Sequence, residues 1–320
     1  MSWRYLVRRL AQLVPTTAAI LLVGFLLVHL APGDPVLALA GDSGDAAYYA
    51  EVRARFGLDE PLPVQLGVYA ANVLQGDLGT SYVLGRPVLA VIAERLPATL
   101  LLTSSAFVLS TLVGIAAGVW TARRHGTWAD TGVNGALVGI DAAPVFWLGQ
   151  MAILTLALGA GWFPVQGMTS ARGDPTGFSL VLDVGYHLAL PALVLAAAEV
   201  AVIGRLTRVG MLEELGRDHI RTARAKGAPE RVVVRHALRR AMLPVVTVLG
   251  GRVGHLVSGT VLVEVVFGWP GIGRLLLTAM QSRDAPIVLG VFVLVAVTVV
   301  VANLLTDLVY AWLDPRVRYS

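Results

Sequence analysis

The sequence predicts an all-α integral membrane protein, and three observations carry that prediction. Of the 320 residues, 56% are hydrophobic and only 14% charged, against roughly 45–50% apolar and about 25% charged in an average soluble chain. A soluble protein of this length could not cover its surface with so few polar groups. Apolar runs of about 20 residues recur, each long enough to cross a hydrocarbon core of roughly 30 Å as a helix. The runs are continuous, as in Val291-Phe292-Val293-Leu294-Val295, where the strands of a membrane barrel would alternate in polarity. Disordered, collagen-like and small disulfide-stapled classes are excluded by the same figures. The chain has no cysteine, so it has no disulfide framework, thiolate metal site or cysteine nucleophile.

Six spans are expected, at 10–30, 98–120, 133–158, 187–204, 242–263 and 287–312. The first follows Arg4, Arg8 and Arg9 but is longer than a signal-peptide core. It runs into Pro32-Gly33-Asp34-Pro35 without a small-residue cleavage site, so it reads as a retained helix. The long connection after it has a short helix expected at 46–56, a punctuation Leu58-Asp59-Glu60-Pro61-Leu62-Pro63, and an amphipathic run at 88–96 leading into the second span. In the third span Asp141 precedes Ala142-Ala143-Pro144, where a kink is expected. Pro244 is placed near the start of the fifth span, where a missing N–H costs little. The division is therefore 1–31 for the N-terminal tail and first span, 32–97 for a long outer loop, and 98–320 for a core holding the other five spans. No internal repeat is evident.

The arginines orient these spans. With the N-terminus inside, the segments 1–9, 121–132, 205–241 and 313–320 hold 17 of the 25 Lys and Arg residues, and the short outer loops 159–186 and 264–286 hold 3. Loops as long as the first outer one count little. Both termini are expected in the cytoplasm, and the basic sequence pI near 9.7 reflects topology and not nucleic-acid binding.

Within the basic inner segment, residues 218–226 form a helix by propensity, with Ile220, Ala223 and Ala225 as small apolar positions. Gly227 suits a C-terminal cap, and Pro229 with Glu230 suits the first turn of a new helix. Two short surface helices joined at Gly227-Ala228-Pro229 are expected. The plain reading is a basic loop touching anionic lipid; the sharper one is a docking helix for a cytoplasmic partner.

These residues carry a resemblance. The run Arg221-Thr222-Ala223-Arg224-Ala225-Lys226-Gly227, followed by Arg235-His236-Ala237-Leu238 and Leu243-Pro244, resembles the EAA loop of ABC importer permeases, in the form used by the peptide and nickel branch. Further stretches of that branch follow in order: His29-Leu30-Ala31-Pro32-Gly33-Asp34-Pro35, Gly57-Leu58-Asp59-Glu60-Pro61-Leu62, Gly76-Asp77-Leu78-Gly79-Thr80-Ser81, Phe267-Gly268-Trp269-Pro270-Gly271-Ile272-Gly273-Arg274, and Asn303-Leu304-Leu305-Thr306-Asp307-Leu308. The long outer loop resembles that of the B-type subunit of dipeptide and oligopeptide importers.

The resemblance implies the ABC type I importer permease fold and an importer of peptides working by alternating access. It implies pairing with a second, C-type permease, two ATP-binding subunits and an extracytoplasmic solute-binding protein, all at the cytoplasmic (inner) membrane. The loop 205–244 would then hold the coupling helix, with Ala223 and Gly227 at the close contact and Arg224 and Lys226 flanking it. No cofactor is expected on this chain, since ATP and Mg belong to the partner subunits. The sequence agrees independently: a phosphate-binding loop needs Gly-x-x-x-x-Gly-Lys-Ser/Thr, and the pattern is absent around Lys226, the only lysine. The chain is not expected to be an enzyme.

Charge inside a bilayer is unfavourable by roughly 2.5–3.5 kcal/mol on insertion scales, so intramembrane charges are candidates for a translocation path. Asp141, Glu199, Arg252 and its helix neighbour His255 are singled out. The plain reading of Glu199 is pairing with Arg205 or Arg208. Asp307, near the inner end of the last span, reads as structural. Gly250-Gly251-Arg252 stands where the family often has a Gly-Leu-Gln type sequence, which singles out Arg252. No metal site is expected: His219 and His236 read as packing or surface residues, and no His-Glu-x-x-His or Gly-x-Ser-x-Gly occurs. An ion-coupled secondary transporter is the rival reading, explaining Asp141 and Glu199 but not the basic loop. A same-family importer of nickel chelates or glutathione is the nearer alternative.

Overall fold

The computed structural model describes residues 59–170 and 176–313, with residues 15, 18–19, 22–26 and 47. For 250–259, 302–303 and 305–313 it describes the backbone alone. The helix expected at 46–56 and most of the first span lie outside the described residues. Among the described residues all regular structure is helical, and the one β feature is an isolated bridge between Thr80 and Pro87. The helices are α1 (Leu62–Leu74), α2 (Val88–Arg123), α3 (Trp128–Ala142), α4 (Val145–Ala152) continued by a π-helical turn at Ile153–Gly159, α5 (Phe178–Leu215), α6 (Asp218–Ala225), α7 (Glu230–Val266), α8 (Ile272–Gln281) and α9 (Ala285–Leu313). Helices α2 and α5 are each long and apolar enough to cross a membrane. A third span results if α3 and the helix Val145–Gly159 count as one, and these are bent by 107° at their junction. That is where Pro144 was expected to kink the chain.

Two compact units divide the chain. The first comprises residues 1–98, 271–304 and 318–320, and the second 99–270 and 305–317. In the first unit α1 begins after Pro61 with a proline in its opening turn, a position where the lost N–H has no helical partner anyway. The first turns of α2 bury Val88, Val91 and Ile92 against Ile287, Val288 and Val291 of α9 and against Ile272 and Ala279 of α8. Gly290 permits this approach, since a Cβ there would lie 2.5 Å from Val88 Cγ1. The turn between α8 and α9 carries Asp284, almost fully buried. Its carboxylate accepts from the Ser81 hydroxyl and from the backbone N–H groups of Tyr82 (3.1 Å) and Val83 (3.3 Å). Helices α1 and α8 fall in stretches expected to be loop. Helix α8 is short and amphipathic, held by the burial of Ile272, Gly273 and Ala279, whereas α1 is a short apolar helix with no buried residue.

In the second unit, α2, α5 and α7 pack through small residues. A Cβ on Gly118 would come within 2.6 Å of the Gly204 carbonyl oxygen, and one on Gly114 within 2.8 Å of the Ile203 side chain. Gly114 and Gly118 form the Gly-x-x-x-Gly spacing that lets membrane helices approach closely. Gly210 meets Ala241 of α7 in the same way, at 3.2 Å from its carbonyl oxygen.

One expectation is corrected here. The helix after Gly227 is not short: Glu230–Val266 is a single helix of 37 residues containing Pro244. Val233, Ala237, Ala241 and Val245 are all buried at four-residue spacing, so one apolar stripe crosses the proline without shifting. Pro244 therefore stands in a helix interior, forgoing one hydrogen bond, which packed membrane helices tolerate. The fourth span likewise begins earlier than its hydropathy suggested, at Phe178.

Candidate functional site

Helix α6 and the turn after it contain the whole run Arg221, Thr222, Ala223, Arg224, Ala225, Lys226 and Gly227. Helix α5 ends at Leu215 and α6 starts at Asp218, whose carboxylate lies in the first turn and favours the N-terminal dipole. The Lys226 N–H donates to Thr222 O (3.1 Å), that of Gly227 to Arg224 O (2.9 Å) and that of Ala228 to Ala223 O (3.1 Å). Gly227 takes φ +77°, a left-handed conformation that residues with a Cβ adopt at a cost of about 1–2 kcal/mol. The chain thus turns sharply from α6 into α7, as the glycine suggested.

One side chain anchors α6. Ile220 is fully buried, the only buried residue of this helix. It packs in a core with Met211 of α5, Val233, Ala237 and Ala241 of α7, and Ala122 of α2, with Ala223 and Ala228 at the margin. Arg221, Thr222, Arg224, Ala225, Lys226 and Gly227 are all exposed. Arg224 donates to Glu230 (3.0 Å) across the turn, which holds the Glu230 carboxyl below its usual range, and Arg221 lies 3.5 Å from Asp218. Nothing comes within 4 Å of a Cβ built on Gly227. The arrangement is a short helix seated on a rigid core, with a basic and small-residue face turned outward.

A second group lies one helical turn before Met211. Asp130, in the first turn of α3, is buried to 3% exposure. Its carboxylate takes the Arg208 guanidinium as a fork, Nε to Oδ1 and Nη2 to Oδ2, both at 2.7 Å. It also accepts from Asn134 Nδ2 (2.6 Å) and the Gly126 N–H (3.2 Å). His125 Nδ1 lies 3.1 Å from Arg208 Nη2 and 3.4 Å from Asp130 Oδ2. The guanidinium holds the Asp130 carboxyl well below the usual carboxylate range, and Asp130 raises Arg208 in turn. Thr127 caps α3 by accepting from the Asp130 N–H at 3.3 Å. Three residues before Arg208, Arg205 reaches Asp141 at the far end of α3, at 2.5 Å.

The candidates from sequence sort accordingly. Asp141 is paired with Arg205. Glu199 sits partly buried on α5, and the two arginines weighed as its partners are held by Asp141 and Asp130. Arg252 and His255 lie on α7 and Asp307 on α9, with their side chains outside the described residues. His219 Nε2 is 3.6 Å from Glu214 Oε2, and His236 is exposed. Among the described residues no group of three or more His, Asp or Glu could hold a metal ion. Sequence reasoning missed Asp130. The Thr127-Trp128-Ala129-Asp130 cap signature was the available signal, though it marks a helix start and names no partner.

In the second unit long apolar helices carry the short surface helix α6, seated by Ile220. Residues 114–319 match the family described as "Binding-protein-dependent transport system inner membrane component", and residues 2–103 match its N-terminal counterpart. The chain belongs to this family of membrane transport components and is a non-catalytic, multi-pass permease subunit. It is 43% identical to the dipeptide transport system permease protein DppB of Escherichia coli (strain K12) over 99% of each chain. It is 40% identical to the di/tripeptide transport system permease protein DppB of Pseudomonas aeruginosa (strain UCBPP-PA14), again over 99% of each. The glutathione transport system permease protein GsiC of Salmonella choleraesuis (strain SC-B67) is likewise 40% identical over 99% of each.

Proposed function

We propose that this chain is the B-type permease of an ATP-driven ABC importer that carries short peptides across the cytoplasmic membrane by alternating access. In this reading it crosses the membrane six times with both termini inside. It pairs with a C-type permease, two ATP-binding subunits and an extracytoplasmic solute-binding protein. ATP and Mg stay on the partner subunits, 32–97 faces the binding protein, and 98–320 is the core. Helix α6 is the coupling helix: Ala223 and Gly227 make the close contact with an ATP-binding subunit, and Arg224 and Lys226 flank it. Glu199, Arg252, His255 and Asp141 are assigned to the translocation path.

The observation that carries the coupling reading is the seating of α6. Ile220 fixes the helix on the core with Ala223 half-buried beside it, while Arg221, Arg224, Ala225, Lys226 and Gly227 stay exposed, which suits a helix that must take a push from a partner and pass it on. Similarity to dipeptide and di/tripeptide permeases over nearly the whole length supports peptide cargo, with glutathione as the alternative supported by the third relative.

The test is the purified importer in proteoliposomes. Transport is expected to require ATP and the ATP-binding subunits, and transport driven by an ion gradient alone overturns the proposal. Gly227→Trp is expected to uncouple ATP hydrolysis from uptake. Gly227→Ala, which shares the backbone strain but adds only a methyl group, should largely retain coupling. Equal behaviour of the two would remove the close contact from Gly227. Competition of labelled dipeptide uptake by glutathione separates the two cargoes.

A further inference from the structure

Helix α5 is held on two sides just before it delivers the chain to α6. On one side Met211 packs on Ile220 of α6 and on the buried stripe of α7. On the other, Arg208 enters the Asp130 carboxylate with both of its fork nitrogens, and Arg205 reaches Asp141. Asp130 and Asp141 stand near the two ends of α3, so α5 grips α3 at both ends. Just before the two arginines Gly204 lets α3 in at Leu137, which lies between the two aspartates, since a Cβ on Gly204 would lie 3.2 Å from Leu137 Cδ1. Immediately beyond Asp141 comes the 107° bend at Ala143-Pro144.

The two grips are unequal. The Arg205–Asp141 pair is about a third exposed on each side, and such pairs add little. The Asp130 carboxylate is 4% exposed, and its oxygens are taken up by the guanidinium, the Asn134 amide and the Gly126 N–H. A fork of this kind fixes orientation as well as distance. Breaking it by removing one partner would leave the other charge buried and uncompensated. It is therefore the stiff joint of the pair.

We propose that the Arg208–Asp130 fork makes α3 and the end of α5 a single lever, through which displacement of α6 is delivered to the bend at Ala143-Pro144. Asp130 and Arg208 are positioning residues for transport. They act through α6 and the bend, and they touch neither ATP nor cargo. The inference rests on the reading of α6 as the coupling helix.

The experiment uses the complete importer in proteoliposomes, scoring labelled dipeptide uptake per ATP hydrolysed. Asp130→Asn and Arg208→Gln should each lower that ratio roughly tenfold, within the range that coupling between sites delivers. The double variant should be no worse than either single one, since both remove the same joint. Because the chain has no native cysteine, Asp130→Cys with Arg208→Cys installs the only thiol pair in this subunit. Before cross-linking it should be uncoupled like the single variants. A bifunctional thiosulfonate spanning the pair should restore uptake per ATP, and reduction should abolish it again, while either single cysteine gains nothing from the reagent. A merely structural role would lower the thermal midpoint of the importer in parallel with the ratio, so an uncoupled Asp130→Asn importer that keeps the wild-type midpoint assigns the loss to the lever, and a loss of coupling that only tracks the midpoint overturns it.

Persistent uncoupling after cross-linking overturns the proposal, because α3 and α5 would then have to move apart during the cycle. Wild-type uptake per ATP in Asp130→Asn overturns it as well. The parent reading is scored separately in the same preparation. If Gly227→Trp stays fully coupled, the docking assignment falls. If Gly227→Trp uncouples while Asp130→Asn does not, the lever alone falls.

Discussion

The sharpest consequence of the seating of α6 is what happens when its anchor is cut. Helix α6 has eight residues, well below the roughly 12–15 at which isolated helices become even marginal in water, so its structure depends on docking. Docking in turn depends on Ile220, the only buried residue of the helix. Ile220→Ala removes branched apolar bulk from a fully buried site, a change that destabilises by about 2–5 kcal/mol. The loss need not unfold the protein, because α5 and α7 keep Met211, Val233, Ala237 and Ala241 packed around the gap. It falls on local opening of α6. At about 1.4 kcal/mol per decade, the lower end corresponds to roughly thirtyfold faster hydrogen exchange. The increase should be confined to the α6 amides and those of Lys226, Gly227 and Ala228, whose acceptors lie in α6. Ile220→Val, at about 0.5–1.5 kcal/mol, should change exchange by tenfold or less. Hydrogen exchange read by mass spectrometry on nanodisc-embedded protein resolves this peptide. Wild-type protection in Ile220→Ala would refute the reasoning, as would faster exchange spread equally over α5 and α7.

Other outcomes follow from the packing and the charges. Gly118→Val should destabilise the contact of α2 with α5 by about 1–3 kcal/mol through overpacking, because the new side chain meets the Gly204 backbone; a lower thermal midpoint in detergent checks it, and Gly132→Ala, at an exposed helical glycine with open space around it, serves as the comparison. Asp284→Ala should leave Ser81 and two backbone N–H groups without their acceptor, at about 1–3 kcal/mol each where the group stays buried, and limited proteolysis should then cut within 80–87. The Asp130 carboxyl is depressed below its unfolded value by Arg208, so its stabilisation is complete above the ordinary aspartate value of about 3.9 and fades as pH falls from there through the depressed folded value. Acid denaturation curves should accordingly lose part of their acid limb in Asp130→Asn, and an unchanged limb would show that the fork contributes nothing to it.

Much of this fold was readable because the signals are local. Bilayer thickness sets run length, so hydropathy located α2, α5 and the region of α3 and α4 directly, although helices outlast apolar runs and both ends of α5 extend past the predicted span. Gly227 and Pro144 were readable for the same reason, since each constrains its own backbone whatever surrounds it. The largely exposed run 221–227 was readable as a motif, seven residues deep. The continuity of α7 through Pro244 was not: local chemistry argues for a break there, and a stripe buried against α5 and α6 overrides it.

By itself, then, the sequence determined the helical membrane class, the positions of the main apolar runs, the left-handed turn after α6 and the family. Tertiary structure alone decided which charges meet. Asp130 and Arg208 are 78 residues apart, and nothing in either neighbourhood specifies the other. Their pairing follows from the close approach that Gly204 permits to Leu137, which sets α3 against the end of α5. Charge pairing is a matter of three-dimensional distance and burial, and a linear chain holds neither until its helices have packed.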